Sequence, residues 1–434
     1  MSMDTIERLI GQRYLSPLDA TKDALLVPVK TVLIEPSLDG MEADAVAQLG
    51  FDFPLAVVSD PLTHAVLGER VEKALESLGP IIRVHLPDRP HPDMKTVDDL
   101  VVATQKAGAL IAVGSGTIND LCKLAAAKQD KPCAVFATAP SMNGYTSVNA
   151  AITVGGLKKS LASVAPLGVF MDLEVLAAAP VRMIRSGLGD SVCRSTAQVD
   201  WLLSHLLLGT PYDELPFLLL EDEEPGLFGE PEALVSGDIE AMGRLARTLV
   251  LSGLGMSVCG GSQPASQGEH LISHYIEMMH PPEWEVVFHG EQIAVTTLVM
   301  ARLQEQLLSD GPPVVKASSL GKADVLDHFG QAIGGACWDE VSKKQLDSGA
   351  ADTLNNVLSN DWDDIRQKIS TVMMPSEKIL SVLQGAGAPV SFAEIGLQRD
   401  FFQTAIERAH QIRNRYTFLD LAIDSEGLRA TDLI

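Results

Sequence analysis

Four of the ten histidines in this 434-residue sequence fall within one stretch, EHLISHYIEMMHPPEWEVVFHG, which runs from Glu269 to Gly290. They are His270, His274, His280 and His289. Imidazole nitrogen is a frequent ligand of divalent transition metals, and histidine also titrates near neutral pH. The cluster therefore indicates a metal-dependent active site, and a chance grouping on helix surfaces is the alternative.

The same stretch predicts a helix that begins near Gln267. Ser266 and Glu269 have the spacing of a capping box, in which each side chain bonds the backbone N–H of the other residue. Pro281 and Pro282 end the helix, because proline lacks the N–H that a further turn would need.

The helical period gives the four histidines different positions. His270 and His274 are four residues apart and share one face of the helix. His280 is ten positions from His270, which places it about 80° away from His270 around the helix axis. His280 fits a residue at the helix C-terminus, where a cation is favoured. His289 opens the next predicted helix and can fold back beside His270.

Two histidine ligands require a third, anionic ligand from another element. Asp190, in SGLGDSVCRSTAQ, is the best upstream candidate. It lies between glycines and an apolar helix, where an unpaired carboxylate would be costly. A helix N-cap is the alternative role for this aspartate.

The elements that must position these side chains begin with an alternation of short apolar runs and helical patterns over the first 180 residues. Such alternation predicts βαβ units and a mainly parallel sheet. AAITVGGLKKSLASVAP then predicts a hairpin with a glycine-glycine turn, and LGVFMD predicts a last strand. The earlier strands are predicted in KTVLIEPS, PLAVVSD, IIRVHLP, ALIAVGSG and PCAVFATAPS.

Amphipathic helical patterns dominate from about Pro180 onward. We therefore predict an α/β dinucleotide-binding domain over residues 1–180 and an all-helical domain over residues 181–434. Ligands of such sheets bind outside the carboxyl ends of the strands, so we expect the active site in the cleft that faces the helical domain. The acidic stretch Glu221–Pro231 is interpreted as a solvated loop.

The turn after the strand ALIAVG has features of a phosphate site. Gly114–Gly116 lead into a helix predicted from Thr117, with Asp120 at near-capping-box spacing. Glycines allow close backbone approach, and a helix N-terminus offers free N–H groups to a pyrophosphate. The spacing is not G-x-G-x-x-G, since Ile118 and Asn119 occupy the last positions, and it is not a P-loop. An ordinary strand–helix turn explains it equally well.

Polar side chains gather at the carboxyl ends of two other strands. FATAPSMNGYTS places Thr138, Ser141, Asn143 and Ser147 after one of them, where binding groups are common. An ordinary polar turn is the alternative for that loop. Asp60 closes the strand PLAVVSD, where an acidic side chain can accept hydrogen bonds from an adenosine ribose.

Composition narrows the class of protein. A hydrophobic content of 46% with 21% charged residues is ordinary for a globular protein, and no run reaches the roughly 18 apolar residues of a membrane helix. The net charge of −24 argues against nucleic acid or an anionic membrane as partner. Five scattered cysteines without C-x-x-C spacing, and an N-terminus without a signal-peptide core, favour a reducing, cytoplasmic location.

Six motifs, in order, give the sequence a family resemblance. GSGTINDLCK, TAPSMNGYTS, GLGDSVCRSTAQVDW, GSQPASQGEHLISH, FHGEQIAVTTL and IRNRYTFLDLA follow one another along the chain. Together they resemble the sn-glycerol-1-phosphate dehydrogenases, within the larger group of iron-containing alcohol dehydrogenases, glycerol dehydrogenases and dehydroquinate synthases. The resemblance implies that group's dehydroquinate synthase-like fold, with an NAD(P)-binding domain followed by a helical one.

The resemblance also implies a role for each candidate residue. Asp190, His270 and His289 correspond to the catalytic metal ligands, and Asn143, Asp190 and His274 to substrate contacts. The metal is one divalent ion, zinc first, with iron and nickel as alternatives that the same ligands suit. The implied NAD or NADP contacts are Asp60, Gly114, Ser115, Gly116, Thr117, Ile118, Asn119, Asp120, Thr138, Ser141 and Ser147.

The implied reaction interconverts dihydroxyacetone phosphate and sn-glycerol 1-phosphate. The metal acts as a Lewis acid on the substrate oxygen, and the nicotinamide gives or takes the hydride. The expected partner is a small phosphorylated or polyol substrate. The sequence does not decide between a monomer and a homo-oligomer.

Asn143 departs from the family pattern, which has aspartate at this position. Asparagine keeps the shape and the hydrogen bonding but loses the charge and the capacity to act as a base. The alternatives are therefore a dehydrogenase of another polyol or alcohol and a catalytically weak cofactor-binding protein. A cyclising lyase of the dehydroquinate-synthase kind is a third, which needs more basic residues than the sequence obviously offers.

Overall fold

The computed structural model describes residues 5–14, 25–285 and 287–434, which form two compact units. The first unit comprises the described residues of Met1–Val154 with Lys158–Ser191 and Glu214–Ser262. The second comprises Gly155–Leu157, Val192–Asp213 and the described residues of Gln263–Ile434. The two domains predicted from the sequence, 1–180 and 181–434, remain a prediction beside this interleaved division.

Six parallel strands form the main sheet of the first unit. Their order across the sheet is β3 (Thr31–Glu35), β10 (Gly168–Asp172), β7 (Cys133–Ala137), β6 (Ala109–Gly114), β4 (Leu55–Ser59) and β5 (Ile81–His85). Four of them, β4, β6, β7 and β10, are buried at every residue, as expected of a parallel sheet covered on both faces. The other described strands are β1 (Arg13–Tyr14) and β2 (Leu25–Leu26), which pair with each other, and β8 (Asn149–Val154) and β9 (Leu157–Ala162).

The predicted hairpin is confirmed, because β8 and β9 pair with each other across a glycine turn. Gly155 and Gly156 have φ values of +59° and +83°. A two-residue turn of this kind needs positive φ at both positions, and glycine adopts it without steric cost.

The helices account for most of the remaining chain. Those of the second unit are α9 and α14 to α20, and the others belong to the first unit. In chain order they are α1 (Thr5–Leu9), α2 (Glu42–Ala47), α3 (Pro61–Thr63), α4 (Glu69–Leu75), α5 (Met94–Ala103), α6 (Gly116–Lys128), α7 (Leu173–Ala177), α8 (Val181–Val192), α9 (Arg194–Leu208), α10 (Leu215–Leu218), α11 (Glu224–Gly229), α12 (Pro231–Val235), α13 (Ile239–Cys259), α14 (Gly268–Met279), α15 (His289–Ser309), α16 (Lys322–Val341), α17 (Ser348–Ser370), α18 (Ser376–Gly385), α19 (Arg399–Arg408) and α20 (Phe418–Asp424).

The acidic stretch predicted as a solvated loop is helical, so that interpretation was wrong. It contains α11, whose Leu227 and Phe228 are buried, and α11 packs against α13. The apolar pair outweighs the acidic residues around it, because burial of each large side chain stabilises the fold by roughly 1.5–3 kcal/mol.

The helical core of the second unit surrounds α14 and α15. Leu271, Ile272 and Ile276 of α14 pack in one apolar cluster with Val295 and Val299 of α15. The α/β and helical parts of the predicted fold class are thereby confirmed. Among the described residues, no helix is both long and apolar enough to span a membrane.

Candidate active site

The turn between β6 and α6 places a helix N-terminus at the carboxyl edge of the sheet. The helix begins at Gly116, and the Ser115 side chain makes no capping hydrogen bond. A Cβ on Gly116 would lie 2.7 Å from the sulfur of Met142, so only glycine allows this approach without a shift. An anion such as a pyrophosphate fits the N–H groups and the dipole of this helix end.

The predicted capping pair of Thr117 and Asp120 was wrong. The helix starts before Thr117, and Asp120 turns into the protein, where it is 7% exposed. Its Oδ2 accepts a hydrogen bond from the N–H of Ala151 at 2.9 Å, and its Oδ1 lies 3.3 Å from Lys123 Nζ. This carboxylate therefore joins α6 to β8.

Lys123 is a fully buried cation that connects α6 with the loop after β7, here called the polar loop (138–147). Its ammonium group donates to the Gly144 carbonyl and to Ser147 Oγ, both at 3.0 Å, and to the carbonyl of Asn149. Burial lowers the pKa of Lys123, and the Asp120 carboxylate opposes that shift. The ammonium therefore holds the polar loop against α6.

Two further helices of the first unit pack closely on the polar loop. A Cβ on Gly187 of α8 would overlap the carbonyl oxygen of Pro140, and a Cβ on Gly253 of α13 would overlap Thr146. Thr146 Oγ1 also donates to the Val250 carbonyl at 2.7 Å. Glycine is required at both helix positions because backbone and loop come into direct contact.

The polar loop and the glycine turn start from neighbouring strands. Gly114 at the end of β6 pairs in register with Ala137, and the N–H of Thr138 donates to the Gly114 carbonyl at 3.2 Å. Thr138 and Ser147 are 7% and 3% exposed. The structure thus brings the two groups of predicted cofactor contacts together within the first unit.

Asn143 and Asp190 are bonded to each other in the first unit. The backbone N–H of Asn143 donates to Asp190 Oδ2 at 2.8 Å, and its Nδ2 donates to the Asp190 carbonyl oxygen at 3.3 Å. Asp190 is 2% exposed and lies inside α8, so the helix N-cap alternative was wrong. The second bond uses an amide donor that an aspartate at this position would lack.

Asp60 caps α3. Its carboxylate accepts the N–H of Thr63 at 2.8 Å, and its own N–H donates to Thr63 Oγ1 at 3.0 Å. This local pairing accounts for an aspartate at the end of β4. Its contact with an adenosine ribose stays a prediction.

The second unit brings three of the four clustered histidines together. The ring centroids of His270 and His289 lie 5.2 Å apart, those of His270 and His274 5.8 Å, and those of His274 and His289 5.9 Å. The shared face of His270 and His274 and the return of His289 beside them are confirmed. His280 lies at the C-cap of α14 and its Nδ1 lies 2.9 Å from the Pro281 carbonyl oxygen, as predicted for a helix-end residue.

Glu269 orients the ring of His270. It is fully buried, and its Oε1 lies 2.9 Å from His270 Nδ1. Thr196 Oγ1 donates to the other oxygen at 3.1 Å, and the N–H of Gln267 donates to Oε1 at 2.7 Å. A carboxylate on Nδ1 assigns the proton to that nitrogen, so the lone pair is on Nε2.

The predicted capping box of Ser266 and Glu269 was wrong. The N-cap of α14 is Gln267, and its side chain makes no capping hydrogen bond. Glu269 does accept a backbone N–H near the helix start, but from Gln267. The carboxylate is drawn inward because it also bonds an imidazole and a hydroxyl that the local spacing does not show.

Glu277 joins the histidine cluster and was missed in the sequence. One donor atom each of His274, Glu277 and His289 lies within 4.8 Å of the other two, and His289 Nδ1 lies 3.6 Å from Glu277 Oε1. Glu277 follows His274 by three residues, so the helical period places it on the same face. Burial lowers the pKa of His274 well below its usual range, and the charge of Arg413 adds to the effect. His274 is therefore a neutral imidazole near pH 7.

The donors in each unit fit a divalent transition ion. In the second unit, His270 offers an Nε2 whose opposite nitrogen is already paired, and His289 lies beside it. In the first unit, Asp190 is a buried carboxylate held by a backbone N–H. Two imidazoles with a carboxylate are a ligand set typical of zinc and iron.

The fold is that of the iron-containing alcohol dehydrogenases. The model of the family described as iron-containing alcohol dehydrogenase matches residues 33–180. The crystal structure of a probable glycerol dehydrogenase from Sinorhizobium meliloti 1021 superposes with a TM-score of 0.61 at 16% identity, covering 93% of this chain and 94% of that chain.

Sequence comparison gives the family within that class. The glycerol-1-phosphate dehydrogenase [NAD(P)+] of Thermococcus kodakarensis is 31% identical over 276 residues, which are 63% of this chain and 77% of the relative. The protein of the same name from Bacillus licheniformis is 28% identical over 379 residues, which are 86% of this chain and 83% of the relative. The chain belongs to the glycerol-1-phosphate dehydrogenase family, and the resemblance inferred from the motifs is confirmed.

Proposed function

We propose that this protein is an NAD(P)-dependent, metal-dependent dehydrogenase that interconverts dihydroxyacetone phosphate and sn-glycerol 1-phosphate. The observation that supports it most is the group of the buried His270 and His274 with the half-buried His289, in which Glu269 holds one imidazole by its Nδ1. Such a group has the composition of a metal centre, and the similar proteins from Bacillus licheniformis and Thermococcus kodakarensis carry this dehydrogenase name.

We assign Asp190, His270 and His289 to the metal, with zinc as the proposed ion and iron or nickel as its competitors. When bound, the ion supplies Lewis-acid polarisation of the substrate oxygen, next to a nicotinamide that exchanges the hydride. Glu269 keeps the His270 ring in one tautomer and orientation. The backbone N–H of Asn143 holds one oxygen of the Asp190 carboxylate.

We assign His274 and Asn143 to the substrate. A neutral His274 donates from one ring nitrogen and accepts at the other, so it can bind a substrate hydroxyl or carbonyl without adding charge. The Nδ2 of Asn143 donates to the Asp190 carbonyl, and its side-chain oxygen can accept a hydrogen bond from a substrate hydroxyl.

We assign the cofactor to the carboxyl edge of the sheet. The glycine turn and the first residues of α6, together residues 114–120, would bind the pyrophosphate, and Thr138, Ser141 and Ser147 of the polar loop would contact the cofactor nearer the nicotinamide. Asp60 would accept the adenosine ribose hydroxyls, which favours NAD over NADP.

Dehydrogenation of a different alcohol is the second candidate. It is favoured by one observation, the amide of Asn143 in place of an acidic group, because a neutral side chain selects substrate hydroxyls differently.

The test uses the full-length protein, stripped of metal and reloaded separately with Zn²⁺, Fe²⁺ or Ni²⁺. Oxidation of NADH and of NADPH is followed at the nicotinamide band with dihydroxyacetone phosphate, dihydroxyacetone and glyceraldehyde 3-phosphate. We expect turnover of dihydroxyacetone phosphate above the other carbonyls. If no carbonyl is turned over with any of the ions, the proposed dehydrogenase activity is refuted.

The matched variants are His270→Ala and His280→Ala, two histidines of the same helix region. His270→Ala should lose the ion of this site and at least 100-fold in kcat/KM, since losing a ligand disables a metal centre. His280→Ala should keep both, because its ring nitrogen lies beside a carbonyl at the helix end. A His270→Ala protein with full metal content and activity would exclude the assigned ligand set.

A further inference from the structure

Three metal-ligating side chains meet at the β4–β5 edge of the sheet, in the first unit. One donor atom each of His64, Glu72 and His85 lies within 4.8 Å of the other two. His64 Nε2 lies 3.5 Å from Glu72 Oε1, and the rings of His64 and His85 are 4.8 Å apart at 88°. Two ligands on a tetrahedral ion with bonds of about 2.0–2.1 Å are separated by about 3.4 Å. The histidine–carboxylate pair already has that spacing.

The backbone presents these donors in a defined way. His85 is the last residue of β5 and stands opposite Ser59 in the parallel register. Ser59 Oγ lies 3.4 Å from His85 Nδ1, so the serine orients the ring and leaves Nε2 for another partner. A metal-bound imidazole usually makes such a hydrogen bond with its other ring nitrogen, which fixes the orientation of the ring.

His64 opens a π-helical turn, His64–Gly68, between α3 and α4. A Cβ on Gly68 would lie 3.2 Å from Cδ2 of the His64 ring, so the glycine makes room for the imidazole along the helix. Single π turns within helices are frequent at functional sites. The wide turn and the small residue both favour a particular position of this ring.

The carboxylate of Glu72 has one oxygen to offer. Glu72 is 5% exposed, and its Oε2 accepts the Nε–H of Arg83 at 2.8 Å. Its Oε1 is buried and accepts no hydrogen bond from the described part of the chain. A buried carboxylate oxygen that accepts no hydrogen bond is costly, and a cation between Glu72 and His64 would stabilise it.

We propose that His64, Glu72 and His85 form a second metal site, which binds a divalent transition ion such as Zn²⁺, Co²⁺ or Ni²⁺. Two imidazoles and one carboxylate suit these ions and not Mg²⁺ or Ca²⁺, which prefer oxygen ligands. Three protein ligands leave a position for solvent, and the exposed ring of His85 lets the ion enter. The site is separate from the proposed catalytic histidines, which belong to the second unit.

The experiment counts ions on the full-length protein and requires no catalysis. Chelator-stripped protein is dialysed against a small excess of Zn²⁺ and the bound metal is measured by mass spectrometry, with Co²⁺ absorption as a second readout. We expect two ions per chain in the wild type and one in His64→Gln/His85→Gln. His91→Gln, an exposed histidine of the same unit, is the matched control and should retain two. Circular dichroism verifies that each variant is folded.

The His270→Ala background separates this site from the proposed catalytic one. His270→Ala should bind one ion, and the triple variant His64→Gln/His85→Gln/His270→Ala should bind none. The proposal is overturned if His64→Gln/His85→Gln binds as many ions as the wild type. It is equally overturned if His270→Ala binds none, whether or not the protein proves to be a dehydrogenase.

Discussion

Replacement of Lys123 by methionine tests whether a single buried ammonium group holds the polar loop to α6. Methionine keeps most of the length of the side chain but removes four contacts, to the Asp120 carboxylate, the Gly144 and Asn149 carbonyls and the Ser147 hydroxyl. The two acceptors of the polar loop, the Asn149 carbonyl and the Asp120 carboxylate then lose their cation in a buried site. The lysine itself is 0% exposed, so water cannot replace the ammonium without a rearrangement.

The expected cost follows from that burial. Removing one partner of a buried ion pair destabilises a protein by about 3–5 kcal/mol, because the other charge stays desolvated. For a unit of this size, about 2–4 °C is lost per kcal/mol, so the transition of the first unit should fall by roughly 6–20 °C. The control is Lys128→Met on the same helix, because the Lys128 ammonium pairs with Asp98 at the surface and its side chain is 38% exposed. A surface pair contributes about 0–1 kcal/mol.

Two spectroscopic signals separate the units in this assay. All four tryptophans, Trp201, Trp284, Trp338 and Trp362, belong to the second unit, so their fluorescence follows that unit, while far-UV circular dichroism follows both. Lys123→Met should lower the dichroism transition more than the fluorescence transition. If it costs no more than Lys128→Met, the buried ammonium does not hold the loop and the reasoning is refuted.

Three further predictions concern buried or substituted polar groups. Lys344 and Asp420 form a buried pair at 2.7 Å, so Lys344→Met should cost about 3–5 kcal/mol in urea unfolding and the exposed neighbour Lys343→Met less than about 1 kcal/mol. Burial lowers the pKa of His410 to about 4, so its neutral form stabilises the fold above the unfolded pKa of about 6.5, and this stability is lost as the pH falls from 6.5 towards 4. The loss amounts to about 3 kcal/mol, and His410→Gln should flatten the urea-midpoint profile between pH 4.5 and 7; an unchanged profile would contradict it. Asn143→Asp should raise the activity ratio of dihydroxyacetone phosphate to dihydroxyacetone, measured as kcat/KM, and an equal ratio would show that the substitution is neutral.

The strands were predictable because burial on both faces leaves a local signature. LAVVS and ALIAVG are continuous apolar runs that end in Ser59 and Gly114, and both form strands that are buried throughout. The turn residues that follow them are also local in origin, since a helix start needs a cap or a glycine within a few positions. These parts of the fold depend on neighbours in sequence, so sequence reasoning finds them.

The failed capping boxes show where such reasoning stops. Glu269 has the correct distance from Ser266 for a cap, yet one of its oxygens accepts the hydroxyl of Thr196, which is 73 positions away. Asp120 likewise accepts an N–H from β8, 31 positions along the chain. A buried carboxylate without hydrogen bonds costs free energy, so it bonds the donors that are buried beside it. Tertiary structure brings those donors from distant parts of the chain.

The two histidine groups also differ in whether their members are linked by local spacing or by tertiary structure. His270 and His274 were found because both lie on one helix, where a spacing of four residues means one face. His64, Glu72 and His85 lie on a π turn, a helix and a strand, and no spacing rule links them. What joins them is the parallel pairing of β4 with β5, which sets Ser59 beside His85 and brings the strand end to the helix that carries Glu72. A ligand set assembled by sheet register has no local sequence signal, so counting bound ions in the His270→Ala protein tests an inference that only the three-dimensional arrangement supports.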